Sequence, residues 1–162
     1  MNQPTTGLTA IHQCLQEEIT SMAALAALLK IEQSALVEGD IALLNEYTLH
    51  KVKIVSTISE LEKKRHSCLS ELGFSADPQG MQAYLQQATV VSGVAGNWEH
   101  LLRLSEQAKE DNRNNGILIN RQLTRNQAAL GVLQQNNPTG SLYGPNGQST
   151  VKNAPGRGYI AG

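Results

Sequence analysis

Apolar residues recur every seven positions at the start of the chain, at Leu8, Leu15, Met22, Leu29 and Leu36, with Ile11, Ile19, Leu25 and Ala26 in the intervening turns. This spacing predicts one long amphipathic helix over about residues 8–37. At about 1.5 Å per residue it would reach roughly 45 Å, too long to bury its stripe without partners of similar length. Gly39 suits a left-handed helix end and Asp40 an N-cap, so together they read as a tight turn between antiparallel helices. The second helix is predicted over 41–72, with Tyr47, Ile54, Leu61 and Cys68 spaced by seven and Leu44, Ile58 and Leu72 on the same side. Two such stripes are what the arms of a coiled-coil-like hairpin present to each other. After Gly73, Asp77 followed by Pro78 has the chemistry to start a short helix over about 78–90, through Met81, Tyr84, Leu85 and Ala88.

A last long helix is predicted over 97–135, carrying Trp98, Leu101, Leu102, Ala108, Ile117, Leu118, Ile119, Leu123, Leu130 and Leu133. Its middle, Ser105 to Gly116, is poorly apolar, and Asn115-Gly116 is by itself a turn signal. Two readings stand on the residues alone: two shorter helices joined at 114–116, or one helix tolerating a glycine at about 1 kcal/mol relative to alanine. From Asn136 onward Pro and Gly recur every few residues and apolar residues are isolated, which predicts a flexible tail over 136–162. The expected architecture is all-α: a long antiparallel hairpin plus a third long helix in a coiled-coil-like bundle over 1–135, followed by that tail.

Composition supports this class. One Phe, one Trp and four Tyr are too few to fill a sandwich or a doubly wound core, while Leu, Ala, Gln and Glu suit helices. A net charge of −1 offers no long-range field to gather nucleic acid or anionic lipid, so partners are expected to be found by shape and apolar contact. The N-terminus lacks the pattern of a signal peptide, and no membrane span is expected, which points to the cytoplasm. Thiols stay reduced there, so Cys14 and Cys68 read as small buried hydrophobes.

Candidate chemistry is sparse. His12-Gln13-Cys14 and His66-Ser67-Cys68 would meet at one end of an antiparallel hairpin, and zinc takes such ligands. Residues two apart lie about 200° around a helix, however, so one member of each pair must point away. The expectation is that the cysteines pack and the histidines face solvent, with no metal and no cofactor. No phosphate-binding loop, nucleophile elbow or di-iron pattern occurs, and no catalytic residue is expected. Lys63-Lys64-Arg65-His66 reads as a solvated helix face after Glu60 and Glu62. Asn112 and Asn126 fall in register with Trp98, Ser105, Ile119 and Leu133. Either they specify alignment, or the last helix does not complete its own core and a client helix packs on Ile119, Leu123, Leu130 and Leu133, paired by Asn and Gln amides. In the tail, Leu142-Tyr143-Gly144-Pro145 is the sort of short anchor that a partner pocket captures.

The strings Asn114-Asn115-Gly116-Ile117-Leu118-Ile119, Asn126-Gln127-Ala128-Ala129-Leu130-Gly131-Val132-Leu133 and Leu142-Tyr143-Gly144-Pro145-Asn146-Gly147-Gln148 resemble the FlgN family of flagellar type III export chaperones. The resemblance covers the C-terminal third by motif and the first two helices by pattern, and it favours one continuous last helix. It implies a cytoplasmic chaperone that binds the C-terminal helical segment of hook-filament junction proteins and hands it to the export gate, with the export ATPase complex as a further candidate partner. Client contacts would then fall at Asn115, Ile119, Leu123, Asn126, Leu130 and Leu133, and gate contacts at Leu142, Tyr143 and Gly144. Pro145 and the longer tail with Arg157 and Tyr159 depart from the family pattern. The competing reading is a structural coiled-coil homodimer that uses the exposed stripe and has no transient client.

Overall fold

The computed structural model describes residues 4–87, 90 and 92–136, with backbone only for residues 4–8. Four helices follow one another: α1 (Pro4–Glu38), α2 (Ile41–Glu71), α3 (Pro78–Leu85) and α4 (Val94–Gln135). Among the described residues there is no strand, and the chain divides into two compact units, Met1–Asn120 and Arg121–Gly162.

The helix ends follow from local chemistry. Gly39 takes φ +74° and Gly73 φ +83°, a region that costs glycine little, and each lets the chain reverse out of a helix. At the first, the Asp40 N–H donates to the Ala35 carbonyl; at the second, the Phe74 N–H donates to the Leu69 carbonyl. Each is a second backbone bond to a carbonyl of the last helical turn, which closes the helix end. Asp40 then caps α2 by accepting from the Leu43 N–H at 3.0 Å. Asp77 caps α3, accepting from the Gly80 N–H at 2.6 Å and the Ser75 hydroxyl at 2.7 Å. Gly80 is buried against the Ser75 carbonyl, where a Cβ would overlap it.

Within the first unit the apolar core gathers Ile11 and Leu15 of α1, Leu69 of α2, Met81 and Tyr84 of α3, and Val94, Trp98 and Leu101 of α4. Phe74 packs edge-on against Tyr84 at 5.7 Å. The α1 stripe behaves as its spacing predicts, with Leu15, Leu29 and Leu36 buried. The α2 stripe does not: Tyr47, Ile54, Leu61 and Cys68 are only half-buried, and its fully buried residues are Arg65 and Leu69. The short helix stops at Leu85, earlier than expected, and α4 begins at Val94 and runs unbroken through Asn115-Gly116. Tertiary contact overrides the local turn signal there, because Asn115 is tied to α1.

The expectation of no membrane span meets one counter-signal. From Thr9 to Glu38, α1 is long and apolar enough by length and composition to cross a membrane. Its buried Glu18 and Glu32 are each paired with a cation from α2, an arrangement of a bundle's core helix; charge at the centre of a bilayer is costly. In the second unit, helix continues to Gln135, and the predicted tail from residue 137 onward lies outside the described residues.

Candidate functional site

Two tiers of charge cross the first unit. In one, Glu18 Oε1 of α1 accepts from Arg65 Nε of α2 at 2.8 Å, both side chains nearly sealed from solvent, and the guanidinium lies 4.9 Å from the centre of the Trp98 ring on α4. In the other, Glu32 of α1 accepts from Lys51 Nζ of α2 at 3.1 Å and from Asn115 Nδ2 of α4 at 2.7 Å. The same amide nitrogen also donates to the Leu29 carbonyl at 2.9 Å. A third link, Lys30 Nζ to Asp111 Oδ1 at 2.9 Å, ties α1 to α4 at the surface.

The two tiers explain one another. Ile11, Glu18, Leu25 and Glu32 are spaced by seven on α1, and Leu44, Lys51, Ile58 and Arg65 are spaced by seven on α2. Apolar and charged residues alternate in both series, with acids on one helix and cations on the other, so an antiparallel hairpin satisfies both pairs in a single register. Slipping by one heptad would set each charge against an aliphatic side chain, a device for fixing alignment. Burial pushes the Glu18 carboxyl up from its ordinary value, and the hydrogen bond and charge of Arg65 oppose that only in part. The Asp111 carboxyl is held down, chiefly by its hydrogen bond from Lys30.

The residues singled out by sequence divide sharply. Asn115 is 1 % exposed and fully engaged through its amide nitrogen, so it positions α4 on α1 and is not open to a client. Ile119, in the first unit, is exposed. In the second unit Leu123, Leu130 and Leu133 are 53 %, 59 % and 66 % exposed, and Asn126 is exposed with them. Leu142, Tyr143 and Gly144 lie outside the described residues. Cys14 is buried and Cys68 half-buried against the core, but His12 and His66 are half-buried where solvent exposure was expected, and His66 sits 4.0 Å from Glu62. No group of three or more possible metal ligands occurs among the described residues.

The reading of the basic run is corrected at Arg65. The run Lys63 to His66 is not uniformly solvated: Lys63 and Lys64 are exposed, while the guanidinium of Arg65 turns inward to Glu18 and Trp98. The heptad position of Arg65, seven beyond Ile58, was the signal in the sequence that marked it.

Comparison with known proteins identifies a family. The family model described as FlgN protein matches residues 1–150. The chain is 31% identical to the flagella synthesis protein FlgN of Proteus mirabilis, over 91% of this chain and 94% of that one. It is 28% identical to the protein of that name from Salmonella typhimurium, covering 93% and 97% respectively. No solved structure matches significantly. With the match spanning the hairpin, α3 and all of α4, the chain belongs to the FlgN family.

Proposed function

We propose that this protein is a cytoplasmic flagellar export chaperone that binds the C-terminal helical segment of hook-filament junction proteins and delivers it to the type III export gate. The observation that carries the reading is the row of exposed aliphatic side chains on the helical part of the second unit, Leu123, Leu130 and Leu133. Apolar side chains spaced at one face of a helix and left in water form a surface that an amphipathic client helix can cover. The names of the relatives, as flagella synthesis proteins, support the cellular process.

In this reading Leu123, Asn126, Leu130 and Leu133 contact the client, with Ile119 as an additional contact. Asn115 has a different role from the one its sequence position suggested: it fixes α4 against α1. Leu142, Tyr143 and Gly144 are the proposed gate contacts. Titration calorimetry with a C-terminal junction-protein peptide tests the assignment. Leu130→Asp should abolish client binding while the protein still melts cooperatively, and unchanged affinity would remove the site. Tyr143→Ala should leave client affinity intact and weaken docking to the cytosolic domain of the export gate; loss of both activities would place the tail in the client site.

A further inference from the structure

Between the two charged tiers the helices of the first unit leave a groove of about 330 Å³. The buried Leu29 and half-buried Leu25 of α1, Val55 of α2 and Ala108 of α4 line it, with Lys51 of α2 and the exposed Lys109 of α4 at its rims. Along α1 and α4 the lining runs two turns, about 10 Å.

We propose that this groove docks an amphipathic helix of another protein, one that presents aliphatic side chains at i, i+3 or i+4 and i+7, flanked by carboxylates. The opening is held by the fold. At either end of it α1 and α2 are pinned by Glu18–Arg65 and Glu32–Lys51, and Asn115 ties α4 to the second pair, so the helices cannot close over the gap without breaking buried charge pairs. Ala108 leaves the wall hollow where Trp98 and Leu101 fill the space nearer the core. The volume is at the small end of ligand pockets, about 300–1,000 Å³, and admits a row of side chains. Two turns of lining match the two turns over which a guest helix sets i to i+7.

The rims choose the sign of the guest. Lys51 is neutralised by Glu32, while Lys109 has no ion-pair partner among the described residues. A second copy of this chain is a poor occupant by its C-terminal part, because residues 112–162 carry Arg113, Arg121, Arg125, Lys152 and Arg157 and no carboxylate. The lining shares no residue with the client-binding face proposed above, since none of it lies beyond Asn112.

Two designed 18-residue helical peptides test this on the full-length protein, both with leucines at i, i+3 and i+7, one flanked by glutamates and its twin by lysines. Fluorescence anisotropy should show the glutamate peptide binding about tenfold more tightly, with the difference shrinking as salt rises. Lys109→Glu, an exposed position, should reduce or invert that preference, and Val55→Asp should abolish binding of the glutamate peptide with the melting transition preserved. Leu130→Asp should change neither peptide's affinity. Equal affinities, no binding by either peptide, a preference untouched by Lys109→Glu, or loss through Leu130→Asp would each overturn the proposal; the last would return the peptide to the client-binding face. Self-association of the protein that Val55→Asp removes would make a second copy the occupant and overturn it as well.

Discussion

Within α4, Val94, Trp98, Leu101 and Ala108 are buried, whereas Leu123, Leu130 and Leu133, spaced on the same helical pattern, stand in water. The difference is one of partners. In the first unit α4 meets α1 through Asn115 and Asp111 and meets Arg65 of α2 through Trp98, so its stripe contributes to stability. In the second unit the same kind of stripe has most of its area exposed, so it contributes little to folding. Periodicity marks a face that can be buried; only a facing element decides that it is.

Perturbing each stretch separately should make the contrast measurable. The largest effect is expected at Arg65→Leu, which strands the buried carboxylate of Glu18. Loss of a partner from such a pair costs about 3–5 kcal/mol, read from urea denaturation. Replacing Glu18 as well, in Glu18→Leu with Arg65→Leu, should recover much of the loss, because two packed aliphatic side chains carry no charge to desolvate. A full cost for the double variant would mean that the tier is needed for more than pairing.

Asn115→Ala should cost less, about 1–3 kcal/mol, since it removes a buried amide that bonds both the Leu29 carbonyl and Glu32 Oε2, while Lys51 still bonds that carboxylate. This distinguishes the two roles proposed for the residue: a stability loss with client affinity retained in the folded fraction fits positioning, whereas the reverse outcome would restore Asn115 to the client surface.

The pH dependence is smaller and carries a sign. Asp111 has its carboxyl below the ordinary 3.8, so its contribution is complete above that value and is lost as the pH falls through the lower folded value. The gap in denaturation midpoint between the parent protein and Asp111→Asn should therefore be present at pH 6 and close in strong acid. Glu18 acts in the opposite sense. Its carboxyl is raised above 4.5, so it favours the folded state most at low pH and that contribution fades as the pH climbs through the raised value. The smallest change is expected at Leu133→Ser, where stability should move by no more than about 0.5 kcal/mol because the side chain is two-thirds exposed. A larger loss would show that the exposed stripe has a structural partner.

Much of this was legible in the chain. The all-α class, the Gly39-Asp40 reversal and the Asp77-Pro78 start each rest on interactions within a few residues, and each appears at its expected place. The exposed leucines of the last helix were legible as an excess of apolar positions. Two things were not. Asn115 looked like a turn or a client contact because its local neighbour is glycine, and its partners, Leu29 and Glu32, stand more than eighty residues away. Arg65 looked solvated because Lys63 and Lys64 flank it, although its heptad phase differs from theirs.

By itself the sequence determined that the chain is helical, where α1 reverses into α2 and where α3 starts, and which helix faces are apolar. All of these depend on covalent neighbours or on a fixed period. The tertiary structure alone decided which polar residues are buried, where the three long helices stand apart to leave a groove, and which half of the α4 stripe is covered. Those outcomes depend on what lies opposite each side chain, and no spacing along one helix contains that information.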